Sequence, residues 1–174
     1  MRLLVMSDTH GLVDSVAEVV RRHPADYVIH CGDVVAPVDR PPFREMIIVS
    51  GNMDRDPALK THRLLRWEGV LIAVTHGHLY DVKRDLLQLS LFAREHGARM
   101  VFYGHSHVPG WTVEGGVLYL NPGSLARPRG YSQPTVAVVD LVREGSQLNV
   151  EIIYYDADGR AEPPLGGRTA LTLG

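Results

Sequence analysis

Five short apolar runs in this chain each end on a side chain that can ligate a metal, and this recurrence constrains the fold more than any other feature. Leu3-Leu4-Val5-Met6-Ser7 leads into Asp8 and His10, and Tyr27-Val28-Ile29-His30-Cys31-Gly32 leads into Asp33. Met46-Ile47-Ile48-Val49-Ser50-Gly51 leads into Asn52, and Val70-Leu71-Ile72-Ala73-Val74-Thr75 leads into His76. Met100-Val101-Phe102-Tyr103-Gly104 leads into His105 and His107. Short apolar runs bounded by polar residues and glycine read as buried strands. Open α/β sheets bind ligands beyond the carboxyl ends of their strands. Five strands that all deliver a donor at that end therefore predict one shared site.

The remaining segments read as follows. Val13, Val16 and Val20 recur at helical spacing through Arg22, and Pro24 ends that helix. A strand from Asp26 to Cys31 follows, and a β-helix-β succession of this size implies a parallel pair. Val34 to Arg44 carries Pro37, Pro41 and Pro42 and reads as loop with a short helical turn. His62–Trp67 and Val70–Thr75 are strands joined by a turn at Glu68-Gly69. Asp81 is the expected N-cap of a second helix, in which Val82, Leu86, Leu89 and Ala93 share a face; Gly97 terminates it. Trp111 to Leu120 reads as a hairpin around Glu114-Gly115-Gly116, and Thr135–Val142 and Gln147–Tyr155 as strands joined at Glu144-Gly145. The sum is one α/β domain over residues 1–155, with two packed mixed β-sheets flanked by helices. Residues 156–174 are rich in Gly, Pro and Ala without periodicity and are expected to form an irregular C-terminal tail.

Composition narrows the function classes. The 174 residues suit a single domain with a substantial core. A net charge of −2 gives no basic excess for non-specific nucleic-acid binding. No apolar run approaches the roughly 20 residues of a membrane span. The apolar start is interrupted by Asp8, His10 and Asp14 and lacks the features of a secretion signal. The single cysteine, Cys31, excludes an internal disulfide and fits a reducing compartment, so a cytoplasmic location is expected.

Carboxylate, imidazole and amide donors together suit borderline divalent cations such as manganese, iron or zinc. A carboxylate shared by two cations holds them about 3.5–4 Å apart, where they activate a water and clamp the non-bridging oxygens of a phosphate. The donor set therefore points to phosphoester hydrolysis.

Asp8-x-His10, Gly32-Asp33, Gly51-Asn52, His76 and Gly104-His105-x-His107, in this order and at these separations, resemble the calcineurin-like metallophosphoesterase signature. Asn121-Pro122-Gly123-Ser124 adds a likeness to the small single-domain phosphodiesterases of bacteria and archaea within that family. The resemblance implies that family's fold and two divalent metal ions, manganese first, with iron, zinc or nickel as alternatives. It implies one ion on Asp8, His10, Asp33 and His107 and the other on Asp33, Asn52, His76 and His105. Asp33 would be the bridge, and Asp33, His76 and His105 the catalytic residues around an activated bridging hydroxide in line with phosphorus. The chain departs from the larger phosphatases of the family at one position. They carry a histidine after the Gly-Asn pair, thought to protonate the leaving group or hold the phosphate; here it is Met53. Loss of a general acid penalises poor leaving groups most, which favours diesters over monoesters.

The expected partner is thus a small phosphoester, such as a nucleotide or cyclic nucleotide, with no membrane, and a homo-oligomer remains open. Two competing functions stand beside the phosphodiesterase. One is a phosphomonoesterase, which Met53 weakens. The other is an interaction scaffold like the retromer subunit that resembles these enzymes, against which stands a competent donor at every ligand position. His78 either lines the site or sits in a solvated loop. Arg127 and Arg129 either contact substrate phosphate or serve an exposed loop, and His30 and Cys31 are expected in the core.

Overall fold

The computed structural model describes residues 1–173. Its framework is two β-sheets packed face to face. The first has six strands in the order β11-β10-β9-β1-β2-β3 and the second five, in the order β4-β5-β6-β8-β7. The elements run β1 (Arg2–Met6), α1 (Val13–Arg22), β2 (Tyr27–His30), β3 (Ile47–Ile48), β4 (His62–Trp67) and β5 (Val70–Thr75). They continue with α2 (Leu87–His96), β6 (Met100–Phe102), β7 (Gly110–Glu114), β8 (Val117–Asn121), β9 (Thr135–Glu144), β10 (Gln147–Asp156) and β11 (Gly167–Thr172).

The apolar runs are unbroken because both faces of the strands are covered. Leu3 and Val5 of β1 point into the space between the sheets, where they join Ile72, Val74, Met100 and Phe102 of the opposite sheet. Leu4 and Met6, on the other face, pack under Val16 and Val19 of α1. The second sheet repeats the scheme: Ala73, Val101 and Tyr119 face Leu89, Phe92 and Ala93 of α2. The expected architecture is therefore the observed one.

Both sheets are mixed, and the mixture positions the site. β1 pairs in parallel with β2, and β2 with β3, while β5, β6 and β8 form a parallel run in the second sheet. Antiparallel strands flank each run. The carboxyl ends of β1, β2, β3, β5 and β6 consequently lie at one end of the sandwich, and each loop that carries an expected ligand leaves from one of them.

Three expectations are corrected. The strand before Asn52 shrinks to Ile47–Ile48. The second helix begins at Leu87 rather than after Asp81, because Asp81 adopts a left-handed φ of 49° that an N-cap does not use. Asp85 instead receives the Leu87 N–H on its carboxylate at 2.9 Å, while Gly97 closes the helix at φ 68°, as expected.

The tail from 156 is not irregular throughout. Residues 167–172 form β11 along β10, in register from Gln147↔Thr172 to Ile152↔Gly167. Leu171 enters the inter-sheet core, and the Trp111 indole N–H donates to the Leu165 carbonyl at 3.2 Å. Leu171 is only 2% exposed, so Leu171→Ala should lower unfolding stability by about 2–5 kcal/mol in urea titrations, against little effect for a loosely held tail.

Candidate metal centre

The first sheet carries Asp8 and His10 after β1, Asp33 after β2 and Asn52 after β3; the second carries His76 after β5 and His105 and His107 after β6. The fold brings them together across the gap between the sheets. Asp8, His10 and His107 form one group whose donor atoms lie within 4.8 Å of one another, and Asp8, Asp33 and His76 form another. Asp33 Oδ2 lies 3.8 Å from His10 Nε2 and 3.5 Å from His76 Nε2, so it faces one histidine of each expected set. Asp8 Oδ1 is shared as well, at 3.0 Å from His107 Nε2 and 3.8 Å from His76 Nε2. His105 lies beside His76, with ring centroids 5.1 Å apart, outside these two groups. Asn52 is exposed on the adjoining turn, whose next N–H, that of Met53, donates to Asp33 Oδ1 at 2.8 Å.

The donor chemistry fits divalent cations. A carbonyl oxygen can only accept, so His76 Nδ1 donates to Cys31 O at 2.7 Å and His107 Nδ1 donates to Arg127 O at 2.8 Å. In each neutral ring Nε2 is then a bare lone pair, and each is aimed at carboxylate oxygens. Lone pairs facing anionic oxygens repel unless a cation lies between them. His10 Nε2, His76 Nε2 and Asp8 Oδ1 are buried and have no hydrogen-bond partner. Histidines anchored by one nitrogen and presenting the other are the usual metal-binding arrangement.

The electrostatics agree. Burial alone would raise the Asp8 carboxyl, but contact with His107, the nearby His76 and the Ser7 hydroxyl bring it below the ordinary range. Asp33 is likewise opposed by burial yet held down at about 2 by His76 and the Met53 N–H. Burial works against charging His76, but Asp33 and Asp8 outweigh it and raise its pKa. For His105 burial dominates, with His76 beside it, and lowers the value to about 4.

Several supporting residues leave no motif in the sequence. Asp54 is one of them. Its Oδ2 accepts the Asp33 and Gly51 N–H groups, each at 2.8 Å, and its Oδ1 accepts the Val35 N–H at 2.8 Å. One carboxylate thus clamps the loops after β2 and β3. Ser7 Oγ donates to Asp8 Oδ2 at 2.6 Å, and the His105 N–H donates to the same oxygen at 3.1 Å from the other sheet.

His30 is buried as expected, but it is not inert filling. Its Nδ1 accepts the Gly32 N–H at 3.1 Å and its Nε2 meets Thr9 Oγ1 at 2.9 Å, which joins the Asp8–His10 loop to the Asp33 loop. Cys31 is buried, and burial raises its thiol pKa, as befits a packing residue. Asn121 supports the last motif through its side chain, donating to Gly104 O at 2.9 Å, and Ser124 Oγ donates to Asp8 O at 2.8 Å. His78 stands 5.3 Å from His76 by ring centroids, with Nδ1 buried and unpartnered, so it borders the site. Arg127 and Arg129 are exposed; the former meets His107 through its carbonyl and the latter through its N–H.

Glycine is a steric requirement at two strand ends. A Cβ on Gly51 would lie 2.1 Å from Asp33 Oδ1, and one on Gly104 would lie 2.0 Å from Ser7 Oγ. Gly51→Ala should therefore displace the Asp33 carboxylate and weaken manganese binding by about 10–100-fold in calorimetric titration. Gly110→Ala, where nothing lies within 4 Å, should leave it unchanged. Protons compete with the cation for the His76 lone pair. Because that pKa is raised, affinity should already fall near neutrality, by about tenfold per pH unit for each proton displaced. An affinity flat between about pH 8 and about pH 6 would contradict this ligand assignment.

Comparison with known proteins gives a consistent result. Residues 1–144 match the model of the calcineurin-like phosphoesterase superfamily domain. The chain is 35% identical over 173 residues to the probable metallophosphoesterase YsnB of Bacillus subtilis, covering 98% of this chain and 100% of that one. It is 26% identical over 168 residues to the phosphodiesterase YfcE of Escherichia coli, covering 80% and 88%. Among solved structures it is similar to a predicted phosphoesterase from Streptococcus pneumoniae, with TM-score 0.87, 32% identity and 97% of each chain covered. It shares the fold of Vps29 from Entamoeba histolytica, solved with zinc, with TM-score 0.72, 19% identity and 98% and 99% covered. With the family model spanning most of its length, this chain belongs to the calcineurin-like phosphoesterase superfamily.

Proposed function

We propose that this protein is a metal-dependent phosphodiesterase. The observation that carries the reading is the pair of fixed imidazoles, His76 and His107, whose free Nε2 atoms meet the carboxylates of Asp8 and Asp33. Asp8, His10, Asp33 and His107 would hold one divalent ion and Asp33, Asn52, His76 and His105 a second, with Asp33 shared. When bound, the ions, manganese first, supply a water activated for in-line attack and positive charge for the non-bridging phosphate oxygens. In the reaction a water oxygen–phosphorus bond forms as one phosphorus–oxygen ester bond breaks, and the departing alkoxide takes up a proton.

The residues of this chain act by position. Cys31 and Arg127 carbonyls fix two histidine rings, the Met53 N–H orients Asp33, and Ser7 with the His105 N–H orients Asp8. Diesters are favoured because the position of a leaving-group acid is occupied by Met53. Asp54, which follows it, is engaged by three backbone N–H groups, which fill most of its acceptor sites. A diester also tolerates this loss when its leaving group is already acidic.

Protein stripped of metal and reloaded with manganese should hydrolyse bis(p-nitrophenyl) phosphate faster than p-nitrophenyl phosphate. Asp33→Asn should reduce diester turnover by more than the about 10–100-fold typical of outer-sphere changes at metal sites. A wide preference for the monoester would overturn the diester assignment. Stoichiometric metal binding without turnover under any of several metals would favour a scaffold.

A further inference from the structure

The loops that carry the candidate ligands also carry exposed apolar side chains. Leu12 follows His10 by two residues, Val35 follows Asp33 by two, Met53 follows Asn52, Leu79 follows His76 by three and Val108 follows His107; all five are exposed. A contiguous exposed apolar patch marks a binding surface, and Val35 and Met53 are the pair of this set that share one hollow. Val35, Ala36, Met53 and Leu59 make its apolar wall and Asp54, Arg55 and Asp56 its polar one, around about 390 Å³. That volume lies at the lower end of the roughly 300–1,000 Å³ of small-molecule sites, and the mixture of apolar wall and few polar groups matches them.

The hollow adjoins the candidate centre through the backbone of its lining residues. The backbone of Met53 donates to Asp33 Oδ1, so its side chain, 52% exposed, leaves from the residue that touches the proposed bridge. Val35 is held at φ 54°, a left-handed conformation that is an outlier for a β-branched residue. The Asp54 carboxylate fixes it there through the Val35 N–H, and the side chain is 46% exposed. Strain of this kind persists where surrounding structure enforces it, typically at ligand clamps. Arg55 adds a guanidinium, which stacks favourably on aromatic faces.

We infer that this hollow seats an aromatic ester group of the substrate, an aryl ring or a nucleobase, beside the phosphorus. The inference rests on the phosphodiesterase reading and gives it a substrate class: diesters in which at least one esterified group is aromatic. Val35, Met53 and Leu59 are then specificity-determining residues, with Met53 occupying a position from which a histidine would act on the phosphate itself.

The test is equilibrium binding to the manganese-loaded protein of two stable monoanions, methyl phenylphosphonate and methyl methylphosphonate, by calorimetry. Bis(p-nitrophenyl) phosphate turnover is measured on the same preparations. The phenyl compound should bind at least about tenfold more tightly, and Met53→Ser or Leu59→Ser should cut that preference to about threefold or less. Equal binding of the two compounds, no binding of either, or a preference that neither substitution moves would overturn the inference. Because binding is read independently of turnover, a phenyl preference in a protein without turnover would retain the hollow and remove the enzyme reading. Turnover without the preference would do the reverse.

Discussion

The hydrogen bond from His76 Nδ1 to the Cys31 carbonyl, at 2.7 Å, is the contact on which the site depends. It crosses from the end of β5 in one sheet to the end of β2 in the other, and it sets three things at once. It fixes the tautomer of His76, it turns the Nε2 lone pair toward Asp33 and Asp8, and it ties the two sheets at the end where the ligand loops emerge. The His105 N–H to Asp8 Oδ2 contact crosses the same gap. A shift of one sheet against the other would break both, so the inter-sheet core is also what sets ligand geometry. Close-packed cores resist such shifts, which explains how exact placement is obtained from loops.

That placement has a conformational cost. Asp8, His10, Asp33, His105 and His107 all have positive φ, between 43° and 66°. Left-handed backbone costs roughly 1–2 kcal/mol per residue for L-amino acids, with aspartate and histidine among the types found there more often. The chain turns sharply after each strand so that the ligand points back across the strand ends rather than into solvent. Tight contacts accompany the turns: Gly51 and Gly104 leave room for Asp33 and Ser7 that any side chain would fill. Burial of the strands on both faces offsets these costs far from the site, and the hydrogen bonds of Asp54 and Ser7 offset them within it.

The sequence reveals what is periodic or recurrent and conceals what is paired at a distance. β1, β5 and β6 are legible because two-sided burial gives unbroken apolar runs, and their shared polar endings announce the ligands. β11 is not legible, because it is an edge strand whose pattern shows one buried anchor, Leu171, among exposed positions such as Arg168 and Ala170. The start of α2 is not legible either, because Asp81 is a residue type that favours N-caps but has the backbone of a turn. Asp54 reaches Asp33 and His30 reaches Thr9, each across 21 residues, and such bonds between loops impose no spacing on the chain.

Asp54 also changes how the missing histidine at Met53 is understood. A carboxylate that also orients an imidazole must spend one of its roughly four acceptor sites on it. Here Oδ2 accepts two N–H groups and Oδ1 a third, all at 2.8 Å, and they come from Asp33, Gly51 and Val35. Charge-assisted bonds to backbone donors are strong, and releasing one would loosen the turn that holds Asp33. The methionine thus sits in a local arrangement in which the neighbouring carboxylate supports backbone, Val35 is held at a left-handed φ, and Val35 and Met53 line one hollow together with Asp54, Arg55 and Asp56. A histidine introduced at position 53 alone would share this hollow with an Asp54 carboxylate already bonded to three backbone N–H groups. The shape of the chain beside the candidate centre thus follows from how the backbone amides around Asp54 are satisfied as much as from the residue beside Asn52.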